Sequence, residues 1–215
     1  LSAKLPGNVS VHNFNPSSGA WGLRLRKTLQ SINTEYVLAL YDDFILEDRV
    51  DDAELRELLD RMDEDKNIAV IYLTKLGLLT KVDRSLFPES KIGNKYAQLA
   101  DTIDYRLNSA PGLWRRDDLL SYTGAQDNPW AWEVFGTYRT FAPRKKFYCP
   151  SVSERDIYSY NYSKGGAIYR GKWVRQVVED KNNKYNLAID FSRRGFSDSA
   201  LFEKRSLRWK VEFIL

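Results

Sequence analysis

The sequence predicts an α/β fold in which a mostly parallel central sheet is flanked by helices. Three observations predict it. Tyr36-Val37-Leu38-Ala39-Leu40 is an unbroken apolar run, too short for a helix and suited to a strand buried on both faces. Asn67-Ile68-Ala69-Val70-Ile71-Tyr72-Leu73 is a second run of the same kind. Each follows a stretch whose apolar residues fall three or four apart, and helix, strand, helix, strand with short links is the pattern of layered α/β proteins.

The elements follow in order. Leu1 to Ser18 is rich in Pro, Gly and Ser and holds one alternating piece, Val9 to Phe14, read as a short strand. No Met opens the chain, so it is expected to start within a longer protein. His12, the single histidine, has no second His to join it and reads as a strand-edge side chain. From Ser18 to Ile32 the residues Trp21, Leu25, Leu29 and Ile32 trace one helical face. After the first strand, Asp51 or Asp52 caps a helix that carries Leu55, Leu58, Leu59 and Met62. Thr74 to Thr102 reads as a long surface excursion, and Ile103 to Leu107 alternates like an edge or mixed strand. A polar-capped helix is expected from about Arg116 to Tyr122 and another from Pro129, which suits a first helical turn. Beyond Thr140 the chain turns basic and Tyr-rich. A short helix is expected from Trp173 to Asn183 and a last strand at Leu187 to Phe191. The expected organisation is a single domain over 1–215, with a core at 1–140 and a C-terminal extension at 141–215.

Composition narrows the partners. Net charge is +4 with a pI near 9.0, compatible with phosphate-bearing ligands or an anionic membrane surface. Acids interrupt every basic stretch and no nucleic-acid recognition motif is present, so no nucleic acid is expected. The tail Lys204 to Lys210 mixes basic and apolar residues; it reads as a solvated end or as a peripheral membrane contact. No apolar run reaches the length of a membrane span and Cys149 has no partner Cys, so a cytoplasmic location is expected.

Three places carry chemistry. The Tyr36 strand runs into Asp42 and Asp43, and ligands of open α/β sheets bind just past the carboxyl ends of strands. Two carboxylates there can hold a hard divalent cation that bridges to substrate phosphates, or they can simply shape a turn. Glu133, between Trp132 and Val134, is either a carboxyl whose pKa is raised by enclosure or a first-turn Glu favoured by the helix dipole. Gly165 and Gly166, beside basic residues, either bring backbone N–H groups to a substrate phosphate or make a tight turn.

The order of these motifs resembles the GT-A type nucleotide-sugar glycosyltransferases, close to the family 2-like bacterial enzymes. The resemblance runs from Gly19 through the Arg24 or Arg26 helix and Thr34-Glu35-Tyr36 to an altered Asp-x-Asp, here Tyr41-Asp42-Asp43. It continues through Pro111 to Leu119, similar to the family's Gly-x-x-x-Arg-Arg stretch, and ends at Trp130-Ala131-Trp132-Glu133. The family's opening strand–helix unit has no evident counterpart, and Val9 to Phe14 fits its second strand better. The resemblance implies a GT-A-like layered fold, with Asp43 and then Asp42 as ligands of Mg²⁺ or Mn²⁺ and Glu133 as the catalytic base. It implies that Arg24, Tyr41, Asp42, Trp114, Arg115 and Trp132 contact substrates. Those would be a nucleoside diphosphate sugar and a glycan or lipid-linked acceptor, in polysaccharide or glycan synthesis. The competing expectation is a non-catalytic α/β domain whose aromatics stack on sugars or bases.

Overall fold

The computed structural model describes residues 19–76, 95–142, 144–162 and 165–197. The Val9 to Phe14 strand with His12, most of the Thr74 to Thr102 excursion and the Lys204 to Lys210 tail lie outside them. The described residues are α/β and divide into two compact units. Of the described residues, those within 19–40 and 50–158 make one unit, and those within 41–49 and 159–197 make the other.

The first unit holds α1 (Trp21–Ser31), β1 (Tyr36–Ala39), α2 (Asp52–Glu64), β2 (Ile68–Tyr72), β3 (Tyr96–Gln98), β4 (Gly112–Arg115), α3 (Arg116–Tyr122), α4 (Pro129–Val134) and β5 (Lys146–Pro150). Its sheet has the order β1-β4-β2-β5-β3. Only β2 and β5 pair in parallel; β1 with β4, β4 with β2, and β5 with β3 are antiparallel. The expected mostly parallel sheet is therefore a mixed one. The cause is β4, which inserts between β1 and β2 in the opposite direction. β5 belongs to this sheet, so the first unit extends past Thr140 to Tyr158.

Burial separates the two strands that the sequence made look alike. β2 is buried at every position, between β4 and β5. β1 has a partner on one side only among the described residues, and Leu38 and Leu40 are 43% and 45% exposed, so it is not buried on both faces. The core gathers Val70, Tyr72, Trp114, Trp132 and Phe147, with the Trp114 indole edge-on to both Tyr72 and Phe147 at 5.8 Å.

Helix ends follow local chemistry. Asp51 caps α2 by accepting from the Ala53 N–H at 2.8 Å, and Leu58 and Met62 form its buried stripe. Asn128 caps α4 in the same way, with Pro129 at the first helical position. α3 starts without a side-chain cap, in contrast to the expectation. Ile103 to Leu107 is not a strand. Tyr105 has φ 55° and the Arg106 N–H returns to the Ile103 carbonyl, closing a turn that sends the Arg106 side chain inward. That guanidinium is fully buried and donates to the Thr140 and Lys145 carbonyls.

The second unit is a three-stranded sheet in the order β6-β7-β8: β6 (Ile168–Tyr169), β7 (Lys172–Val174) and β8 (Phe196–Ser197). It packs with α5 (Arg175–Tyr185) around Ala167, Val174, Val177 and Val178. Leu187 to Phe191 is irregular rather than a strand, since Asn186 and Ala188 take left-handed φ values of 49° and 51°. Residues 41–49 join this unit through the Glu47 N–H to Ser159 carbonyl bond (2.8 Å), a Leu46–Tyr160 bridge and Ile45 on the core.

Gly22 sets how closely α1 lies on the 124–127 turn. Its N–H donates to the Asp127 carbonyl at 2.8 Å, and a Cβ there would stand 2.0 Å from the Gly124 carbonyl oxygen. That oxygen is backbone and cannot swing away. Gly22→Ala should destabilise the protein by about 1–3 kcal/mol, as forced overpacking does, read as a lower urea midpoint. A midpoint unchanged from wild type would show that the helix can lift at no cost.

Candidate active site

The antiparallel course of β4 decides what stands at the edge of the first unit's sheet where β1 and β2 end. Ala39, the last residue of β1, and Tyr72, the last of β2, both face Gly112, the first of β4. The loop that enters β4 therefore arrives where β1 and β2 end, the edge at which α/β sheets bind ligands. It is tied there by the Leu73 N–H to Pro111 carbonyl bond (2.7 Å) and by the Asn108 N–H to the Tyr72 hydroxyl (3.0 Å).

Glu133 meets this loop. Its Oε1 accepts the Ser109 N–H at 2.8 Å and also a short bond from the Ser109 hydroxyl. Both bonds fall on one carboxylate oxygen, and the side chain is partly exposed on α4. Burial, and after it the Glu133 charge, hold the Tyr72 phenol far above its ordinary range, while the Asn108 bond opposes them.

Asp42 and Asp43 lie in the second unit, in the stretch that follows β1. Asp42 is exposed and Asp43 partly buried. Burial, opposed by a backbone hydrogen bond and reinforced by the Asp42 charge, pushes the Asp43 carboxyl above the usual range. Gly166 is brought against Asp43: Ala167 N–H donates to the Asp43 carbonyl at 2.7 Å. Tyr41 lies edge-on to Phe44 at 5.8 Å, and Phe44 stacks on Tyr160 at 4.5 Å. The two carboxylates stand alone: the described residues include no group of three or more His, Cys, Asp or Glu that could hold a metal. Two carboxylates still match the protein share of a Mg²⁺ or Mn²⁺ site that is completed by water and substrate phosphate.

Several expected contacts are structural instead. Trp114 and Trp132 are 1% and 2% exposed and pack in the core, so neither offers a face to a substrate. Arg115 sits opposite Tyr36, at the start of β1. Its guanidinium donates to Glu35, to the Met62 carbonyl (2.8 Å) and to the Ile68 carbonyl (3.4 Å), tying together the starts of β1 and β2 and the end of α2. Arg24 donates to the Gly19 carbonyl at 2.7 Å, within its own helix start. Gly165 gives its N–H to the Tyr162 carbonyl (3.0 Å), as a turn requires.

Two residues at this edge escaped the sequence reading. Ser109 carries no signal beyond its type. Trp130 is 58% exposed and stands three residues before Glu133 on α4, a spacing that makes helical neighbours. The alternation Trp130-Ala131-Trp132 does not tell which indole turns outward. A cleft of about 540 Å³ also opens at this sheet edge, beside Tyr96 and Pro150. Asp51, Glu54, Glu57 and Glu154 line it against Lys95 and Arg155, a balance that disfavours a diphosphate.

No family model matches the chain, and neither curated proteins nor solved structures give a significant match. Among the described residues no helix is long and apolar enough to cross a membrane.

The Ser109–Glu133 contact is measurable. Ser109→Ala removes the hydroxyl and leaves the N–H. It should cost about 1–1.5 kcal/mol, below the full value of a hydrogen bond to a charged group because the site is partly solvated. In a Glu133→Ala background the same substitution should cost roughly half of that or less. Equal costs in the two backgrounds would mean that the hydroxyl does not hold the carboxylate.

Proposed function

We propose that this chain is the catalytic part of a GT-A type glycosyltransferase. It moves a sugar from a nucleoside diphosphate sugar to a hydroxyl of a glycan or lipid-linked acceptor, in the cytoplasm or at its membrane face. The observation that carries the reading is the Ser109 seat. It fixes Glu133 at the sheet edge where β1 and β2 end, the place where α/β sheets bind ligands.

With Oε1 held by Ser109, Oε2 is the atom that takes the proton from the acceptor hydroxyl. The deprotonated oxygen bonds to the anomeric carbon as the bond to the diphosphate breaks, and the diphosphate leaves with the electron pair. Asp43, with Asp42, would hold Mg²⁺ or Mn²⁺. When bound, the ion supplies charge neutralisation for the leaving diphosphate. Trp130, exposed beside Glu133, suits the apolar face of an acceptor sugar. The same exposed ring is what favours the second reading, a carbohydrate-binding domain without transfer.

Three substitutions test these readings. Asp43→Asn should weaken nucleoside diphosphate binding and abolish its sensitivity to Mg²⁺ or Mn²⁺, and Asp42→Asn should do less. Affinity unchanged in Asp43→Asn, with or without chelator, would remove Asp43 as a ligand. Glu133→Gln keeps an oxygen that accepts from Ser109, so the protein should fold and bind donor normally. Its transfer rate should fall roughly 10²–10⁴-fold, as loss of a general base does. Transfer within about twofold of wild type in Glu133→Gln would exclude Glu133 as the base, since so small a loss lies far below that range.

A further inference from the structure

We infer that Gly166 is a positioning residue for Asp43: it lets the 165–167 turn close on the Asp43 carbonyl and so fixes where that carboxylate stands. The inference rests on the metal-dependent reading of Asp43. Four observations carry it. Gly166 has φ 130°, a backbone conformation that side-chain-bearing residues rarely adopt. A Cβ at Gly166 would lie 2.9 Å from the Asp43 carbonyl oxygen and 3.0 Å from Phe44 Cδ1, so the glycine touches both halves of the Asp43–Phe44 link. The next residue, Ala167, is fully buried and donates its N–H to that same carbonyl at 2.7 Å. Ala167 is anchored in turn by the Val174 N–H on its own carbonyl (2.9 Å) and by packing on Val174, Val177 and Val178.

The consequence is an asymmetry between the two acids. Asp43 is followed by Phe44, 9% exposed and stacked on Tyr160, and its carbonyl is pinned to a buried strand lead. Asp42 is exposed and outside this clamp. A carboxylate whose backbone is held loses less freedom when it binds a cation, so the clamp raises affinity at Asp43 without touching the ion.

Gly165 provides the control. It also has a positive φ, 84°, yet a Cβ there meets nothing within 4 Å. Gly165→Ala therefore carries the backbone strain alone, and Gly166→Ala carries strain plus the clash with Asp43. Two readouts are compared in each: amide hydrogen exchange at Ala167, and Mn²⁺-dependent binding of the tightest of UDP, GDP, ADP and CDP. In Gly166→Ala, Ala167 exchange should quicken about tenfold or more and the Mn²⁺ enhancement should fall by a similar factor, as expected for one lost hydrogen bond and its ordering. Gly165→Ala should keep both within about threefold of wild type, because a Cβ there meets nothing within 4 Å and its strain is not directed at Asp43. Equal losses in the two variants, or wild-type Ala167 exchange in Gly166→Ala, would overturn the inference. Should Gly166→Ala fail to fold, an amide-to-ester replacement at Ala167 removes only the N–H, and unchanged Mn²⁺ enhancement there would overturn it too. Absence of Mn²⁺-dependent binding in wild type would instead bring down the functional reading, and Ala167 exchange would still decide whether Gly166 seats Asp43.

Discussion

The insertion of β4 between β1 and β2 is the constraint from which the first unit follows. Gly112 opens that strand. A Cβ there would lie 2.9 Å from Trp114 Nε1 and 3.2 Å from Val70 Cγ2, so the missing side chain is what lets the indole fold back over its own strand. Trp114 then becomes the centre of the core, touching Tyr72, Phe147 and Trp132. Aromatic pairs in these tilted and edge-on arrangements add about 0.5–1.5 kcal/mol each beyond the area they bury. One glycine thus positions the core and the loop that precedes it.

The two acidic sites are held differently. Glu133 receives two donors from one serine, which hold its carboxylate in a defined place. Asp43 is penalised by burial and by Asp42, so its ionisation opposes folding. For a carboxyl with a raised folded pKa, the folded state binds the proton more tightly. That contribution is present at low pH and is lost as pH rises through the folded value. At neutral pH the second unit therefore carries a local cost that a bound cation would offset.

Much of the fold was legible because burial writes itself into periodicity. The Trp21–Leu29 stripe, the Leu58–Met62 stripe and the Ile68 to Tyr72 run each gave the right element, since their apolar spacing is dictated by one packed face. β4 and β5 were not legible. Gly112-Leu113-Trp114-Arg115 is only four residues long and ends in a charge. Lys146-Phe147-Tyr148-Cys149-Pro150 follows a basic cluster and holds a proline, both of which argue against a strand. Their pairing is non-local, with β5 lying beside β2 some eighty residues earlier in the chain, and no window of sequence contains that information. Asp42, Asp43 and Glu133 could be singled out as candidates from their surroundings, but Ser109 could not, because nothing local distinguishes it from any other loop serine.

The misplacement of Arg115 and the misreading of the sheet as mostly parallel share one cause. Had β4 run parallel to β1, its last residue would have stood at the edge where β1 ends, free to meet a ligand there. Running antiparallel, it delivers Arg115 to the opposite edge, against Tyr36 and Glu35, and delivers Asn108 and Ser109 to the edge where β1 ends. The burial of Arg115 then requires full pairing. Glu35 and Asp118 supply the charge, and the Tyr36 hydroxyl and the Met62 and Ile68 carbonyls accept further N–H groups, since a buried guanidinium left short of partners would cost several kcal/mol. Strand direction, more than residue type, therefore decides which charged residues of this chain are available to a ligand and which are consumed in holding the sheet together.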